Sequence, residues 1–137
     1  MIDGNEYIAI VKQFYSFLET EFDFKKKNEI INGNAFYDVE FNNKEKVISI
    51  SYENIENHLD INIFMLQDEK MPDYDDKTRS LHLSQLNRLV MAKISKEEIN
   101  LNAGYFAILD AKNEIEQKLL KGAKELRLCL KHFNELM

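Results

Sequence analysis

Apolar residues recur at Tyr7, Ile8, Val11, Phe14, Tyr15, Leu18 and Phe22, the three-and-four spacing that places side chains on one face of a helix. Asp3 followed by Glu6 has the form of a capping box, so the spacing predicts one helix over residues 4–21. Ile10 and Phe17 widen the apolar stripe, which points to a helix covered by other elements. After the turn signal Asn32-Gly33 the period changes to two. Tyr37, Val39 and Phe41 alternate with Asp38 and Glu40; Ile48, Ile50 and Tyr52 with Ser49 and Ser51; Leu59, Ile61, Ile63 and Met65 with Asp60 and Asn62. Each run predicts a strand with one face in the core and one in water. The connectors 42–46 and 53–58 are short and polar, which suits hairpins between sequential antiparallel strands. Residues 24–31, FKKKNEII, add a fourth strand at one edge, where lysines oppose edge-to-edge pairing.

Helical spacing returns with Leu83, Leu86, Leu89 and Val90, capped by Ser80 or Ser84 and ending near Lys93. Ser95 to Glu98 is a second capping box, but Asn100, Asn102 and Gly104 behind it favour a short turn over a full helix. From Tyr105 to Leu136, Ile108, Ile115, Leu119, Leu126, Cys129, Phe133 and Leu136 fall on a four-and-three seam. A continuous helix of that length would measure about 45–50 Å, longer than a domain of this size is wide. It therefore breaks near Gly122, packs against another copy, or projects. The pattern as a whole predicts a single α+β domain over residues 1–137: an N-terminal helix, an antiparallel meander of three or four strands, and C-terminal helices packed on one sheet face.

Composition narrows the classes. Hydrophobic residues make up 45% of the 137, with nine Phe and six Tyr, enough for a well-filled core. No apolar run approaches the roughly 20 residues of a bilayer span, and the start MIDGNEYIAIVKQ lacks the basic segment and cleavage site of a signal peptide. Cys129 has no second cysteine to pair with; it reads as a small buried hydrophobe and suits a reducing, cytoplasmic setting. A net charge of −6 argues against nucleic acid and anionic membrane as partners, because phosphate affinity comes from clustered Lys and Arg. A basic protein surface would be attracted instead. The chain carries no P-loop, GxGxxG, GxSxG or CxxC, so neither a catalytic residue nor a cofactor is assigned.

The candidate site is LQDEKMPDYDDKTRS, Leu66 to Ser80, which holds five acids and the only proline. The acids lack the alternation, central Gly and terminal Glu of a calcium loop, and they crowd one segment instead of flanking a sugar cleft. Loops of about 14 residues without secondary structure are uncommon unless they function, and Tyr is a frequent interface anchor. Asp68, Glu69, Asp73, Tyr74, Asp75 and Asp76 are therefore the candidate partner contacts, with a plain solvated connector as the alternative. His58 and Asp60 share a strand face and His82 lies in another segment, a set suited in principle to zinc or proton transfer. Their spacing matches no metal signature, and no metal is assigned. Ser49 and Ser51 on the outer sheet face are available to hydrogen-bond a partner.

Phe17, Leu18, Phe22 and Phe24 form an F-L-x-x-x-F-x-F helix end. Val39, Glu40, Phe41 and Asn42 then read V-E-F-x, and Val47, Ile48, Ile50, Tyr52 and Glu53 precede the aliphatics Ile61 and Ile63. This order, covering about the first half of the chain, resembles small bacterial immunity-type proteins of polymorphic or contact-dependent growth-inhibition toxin systems. The resemblance implies a cytoplasmic inhibitor without catalysis of its own that neutralises a cognate toxin domain by forming a complex with it; the sequence leaves monomer and homodimer both open. A basic toxin domain would suit the acidic chain. An acidic secretion chaperone holding an extended client, and a small enzyme, are the other classes that the residues leave open.

Overall fold

A computed structural model describes residues 2–136. The protein is α+β, as the pattern predicts, and divides into two compact units, one up to His82 and one from Leu83.

The first unit contains helices α1 (Gly4–Phe14) and α2 (Phe17–Thr20) and strands β1 (Lys25–Asn32), β2 (Phe36–Asn42), β3 (Lys46–Glu53), β4 (His58–Met65) and β5 (Ser80–His82). The strands form one antiparallel sheet in sequence order, β1-β2-β3-β4-β5. Residues opposite one another share a face, so Val39, Ile50 and Ile61 make one apolar row, and Phe41, Ile48, Ile63 and Leu81 the next. Helix α1 covers this face. Tyr7 is fully buried, with its ring 5.6 Å from that of Tyr37 and 5.8 Å from that of Tyr52, and its hydroxyl donates to the Ile50 carbonyl at 2.8 Å. The approach is close enough that a Cβ on Gly4 would stand 3.0 Å from both Ile31 Cγ2 and Tyr37 Cε1. Burial of each large side chain here contributes roughly 1.5–3 kcal/mol.

Three expectations change in this unit. The helix predicted over 4–21 is two helices with a turn at Tyr15 and Ser16. Phe14, Tyr15, Phe17 and Leu18 are all buried, and the turn re-aims the chain so that side chains from more than one face of a straight helix reach the core. Asp3 takes the N-cap position without a side-chain cap bond. Secondly, the lysine-rich edge strand is present as β1, but the far edge gains β5, where Asn62, Ile63 and Phe64 of β4 pair with His82, Leu81 and Ser80. Ser80 thus belongs to a strand and caps no helix. Thirdly, the outer face of the meander is not wet at its centre: Asp38 is 6% exposed, and Ser49, Ser51 and Asn62 are buried with it. Each serine stands between longer residues on the flanking strands, and each spends its hydroxyl inside the sheet: Ser49 donates to the Asp38 carboxylate at 2.7 Å and Ser51 to the Asp60 carbonyl at 3.2 Å. The two serines are therefore not free to bind a partner.

The second unit contains α3 (Leu83–Met91), α4 (Lys96–Tyr105), α5 (Glu114–Lys131) and α6 (Phe133–Leu136). Leu83, Leu86 and Val90 of α3 and Leu119, Ala123, Leu126 and Cys129 of α5 are buried. Burial pushes the Cys129 thiol up to about 12, which leaves it protonated and unreactive. Ser95 caps the helix, its side chain accepting the Glu98 N–H at 3.1 Å, while the Glu98 carboxylate turns to His132; the cap opens a ten-residue helix instead of a short turn. Asn102 does not break this helix because both ends of its amide are used: Nδ2 donates to the Lys124 carbonyl at 2.9 Å and Oδ1 accepts from Arg127 at 2.8 Å. The long C-terminal helix is interrupted, at 106–113 and not at Gly122. Asn113 starts α5 by accepting the Glu116 N–H at 2.9 Å, and the helix runs unbroken through a buried Gly122. Ile108 falls in the interruption and is exposed, off the seam predicted for it.

Candidate functional site

The acidic segment joins β4 to β5, and its backbone is tied down along much of its length. Gln67 and Lys70 exchange backbone hydrogen bonds at 3.0 and 2.9 Å around a two-residue turn. Asp68 and Glu69 occupy that turn at φ 52° and 64°, the left-handed region that tight hairpin turns require. A second turn lies further along: Asp76 N–H donates to the Asp73 carbonyl at 2.9 Å, and Ser80 donates its hydroxyl to the same carbonyl at 2.8 Å. The Asp76 carboxylate accepts from the Thr78 hydroxyl at 2.6 Å and the Thr78 N–H at 3.1 Å, which hold its carboxyl below the usual range. Arg79 donates to the Gln67 side chain, and its carbonyl accepts from Met65 N–H at 2.8 Å.

The six candidate residues therefore divide by role. Asp68 and Glu69 form one exposed tip. Asp73, Tyr74 and Asp75 form another, with Tyr74 64% exposed and its ring edge-on to His82 at 6.4 Å. Asp76 is half-buried and spends its carboxylate on the turn. Lys70, Lys77 and Arg79 are interleaved with the five acids, so the segment's own balance is only −2.

The larger electrostatic feature becomes visible once the unit boundary is known. Residues up to His82 carry 17 Asp and Glu against nine Lys and Arg, a balance of −8; from Leu83 onward seven face nine, a balance of +2. All of the chain's excess negative charge lies in the unit that contains the sheet. Beside the Asp68–Glu69 tip, an open cleft of about 730 Å³ is walled by Asp23, Glu45 and Glu69 with Lys25 and Lys44, over Phe22 and Leu66.

The histidines are not brought together as zinc or proton-transfer chemistry would need. His58 is exposed opposite Glu53, and Asp60 turns instead to His82, Oδ1 to Nδ1 at 3.5 Å. Among the described residues no group of three His, Cys, Asp or Glu side chains is arranged to hold a metal ion. The carboxylate most altered by its surroundings is Asp38. Burial, helped by the nearby Glu40, raises it to about 6, against the Ser49 hydroxyl bond at 2.7 Å, which lowers it. Sequence reading placed Asp38 in water. The period-two pattern gives its face but not what crowds it, so that only the i, i+2 carboxyl pair Asp38 and Glu40 was a signal.

No helix of the described residues is long and apolar enough to cross a membrane. No family model, characterised protein or solved structure matches the chain.

Proposed function

We propose that this chain is an immunity-type inhibitor, acting in the cytoplasm, that binds the basic domain of a cognate toxin and blocks it without catalysis. One observation carries the proposal: the whole negative excess, −8 against +2, lies in the sheet unit, where two exposed acidic tips stand on a backbone fixed by hydrogen bonds. A charged surface of this kind steers a basic partner and speeds its association. A pre-formed loop loses little conformational entropy on binding. Asp68, Glu69, Asp73, Tyr74 and Asp75 are the contact residues; Asp76 acts on them by shaping the turn. Tyr74 supplies the apolar anchor between two carboxylates.

The test is capture of bound protein from the source organism by the full chain, followed by titration of the captured domain against the native chain and the variant Asp68→Asn, Glu69→Gln, Asp73→Asn, Asp75→Asn. The variant should bind at least about tenfold more weakly at low salt, with a shallower dependence on salt. Equal binding at low and high salt would remove the loop from the interface. Capture of an acidic protein or of extended, unfolded clients would replace the inhibitor with a chaperone.

A further inference from the structure

Helix α4 and the turns after it carry an apolar face that the rest of their own unit leaves exposed. From Ile99 to Leu109 there is no charged residue, in a chain that is 31% charged. Leu101 is 69% exposed, Tyr105 41% and Ile108 91%. The α-helix ends at Tyr105, but i→i−3 hydrogen bonds from Phe106 N–H to Ala103, Ala107 N–H to Gly104 and Leu109 N–H to Phe106 continue the coil in tighter turns, which keep Ile108 on the side of Leu101, Gly104 and Tyr105. Its opposite side is the buried one, with Asn102 and Phe106 turned inward.

Two features distinguish the stripe from scattered exposed side chains. Tyr105 is held in place. Arg127, itself buried and bonded to Asn102, sets its guanidinium 3.9 Å over the Tyr105 ring, and the Phe106 ring meets it edge-on at 5.0 Å. A fixed aromatic binds with little loss of freedom. Gly104, moreover, has open space where a Cβ would be, with nothing but its own turn of helix within 4 Å and no positive φ. No neighbour within the chain and no backbone conformation there calls for glycine, which weakens a helix relative to alanine. A surface approaching from outside would use the gap.

We propose that this stripe is the interface between two copies of the chain, α4 against α4 in antiparallel two-fold register. The stripe is complementary to itself: with the two-fold axis at its centre, reversing one copy sets the fixed Tyr105 ring of each over the other's hollow at Gly104 and brings Leu101 beside Ile108. Charge favours a like partner here. The face has no charges to repel a copy of itself, and its unit is near neutral at +2, whereas a basic protein is drawn to the −8 unit. The ends also match, with exposed Glu97 four residues before Leu101 and exposed Lys112 four residues after Ile108, which reversal brings to the same end. Three exposed apolar side chains in one uncharged row, Leu101, Tyr105 and Ile108, form a contiguous patch and not scattered single residues. A contact built on so few side chains is smaller than that of tight complexes, so the pair is weak and exchanging. The proposal goes beyond toxin binding and does not depend on it.

Sedimentation equilibrium of the full chain from about 10 μM to about 1 mM tests it. The mass should rise from 16.2 kDa toward twice that value with concentration. Leu101→Asp with Ile108→Asp, both at exposed positions, should keep the native circular dichroism and stay monomeric. Gly104→Leu should weaken pairing at least about tenfold by filling the hollow, although it makes the surface more apolar. A native chain monomeric at about 1 mM overturns the proposal, as does a dimer indifferent to the aspartates, or pairing strengthened by Gly104→Leu, which would mean non-specific adhesion.

Discussion

Replacing Asp38 by Asn should make the protein more stable at neutral pH, although it removes a buried charged group. In the native sheet the carboxyl lies 6% exposed on β2 beside Glu40, and the Ser49 hydroxyl donates to it at 2.7 Å. Burial lifts its pKa from 3.8 to about 6, so the folded state holds its proton more tightly than the unfolded chain does. Protonation thus favours folding below pH 3.8, and that contribution is lost as pH rises to about 6. Above it, the ionised group costs about 3 kcal/mol, which partial screening by water reduces to roughly 2 kcal/mol. Asn has the same shape, its Oδ1 still accepts from Ser49, and it carries no charge toward Glu40. At pH 8 the urea midpoint should therefore rise by about 1 M, for a slope near 2 kcal/mol per M. Near pH 4, where the folded native group is protonated, the gain should shrink to under about 0.5 kcal/mol. A variant less stable at pH 8, or one equally stabilised at both pH values, would refute this account of the buried face.

Two further changes probe the rest of the scaffold. His132 lies between Glu98 and Glu135, whose carboxylates hold the imidazole charged and raise its pKa. Its contribution is complete below the ordinary value near 6.5 and disappears as pH climbs through the raised one, so His132→Gln should lower the urea midpoint at pH 6 and change it little at pH 9. An imidazole NMR titration midpoint at or below the ordinary value would contradict the placement. Tyr7→Phe removes the hydroxyl bond to the Ile50 carbonyl and should cost about 1 kcal/mol with α1 still docked; thermal unfolding with unchanged near-ultraviolet circular dichroism checks it.

Periodicity carried most of the secondary structure. Alternation from Tyr37 to Met65 located β2, β3 and β4 because a side chain's face in a strand depends only on whether its position is odd or even. The acids of the β4–β5 segment and the cap at Ser95 were equally legible, being properties of a few adjacent residues. What alternation could not convey was the surroundings. Asp38 and Ser49 look wet until their neighbours on other strands are known, and Ile108 looks like core until the chain is seen to leave the helix before it. Strand β5 is only three residues long and exists because β4 offered it an open edge. The division of charge into −8 and +2 likewise required a boundary that no linker marks. Local pattern is set by bonds between near neighbours and survives in one dimension; burial, pairing at an edge and the grouping of charge depend on residues far apart along the chain, and only folding brings those together.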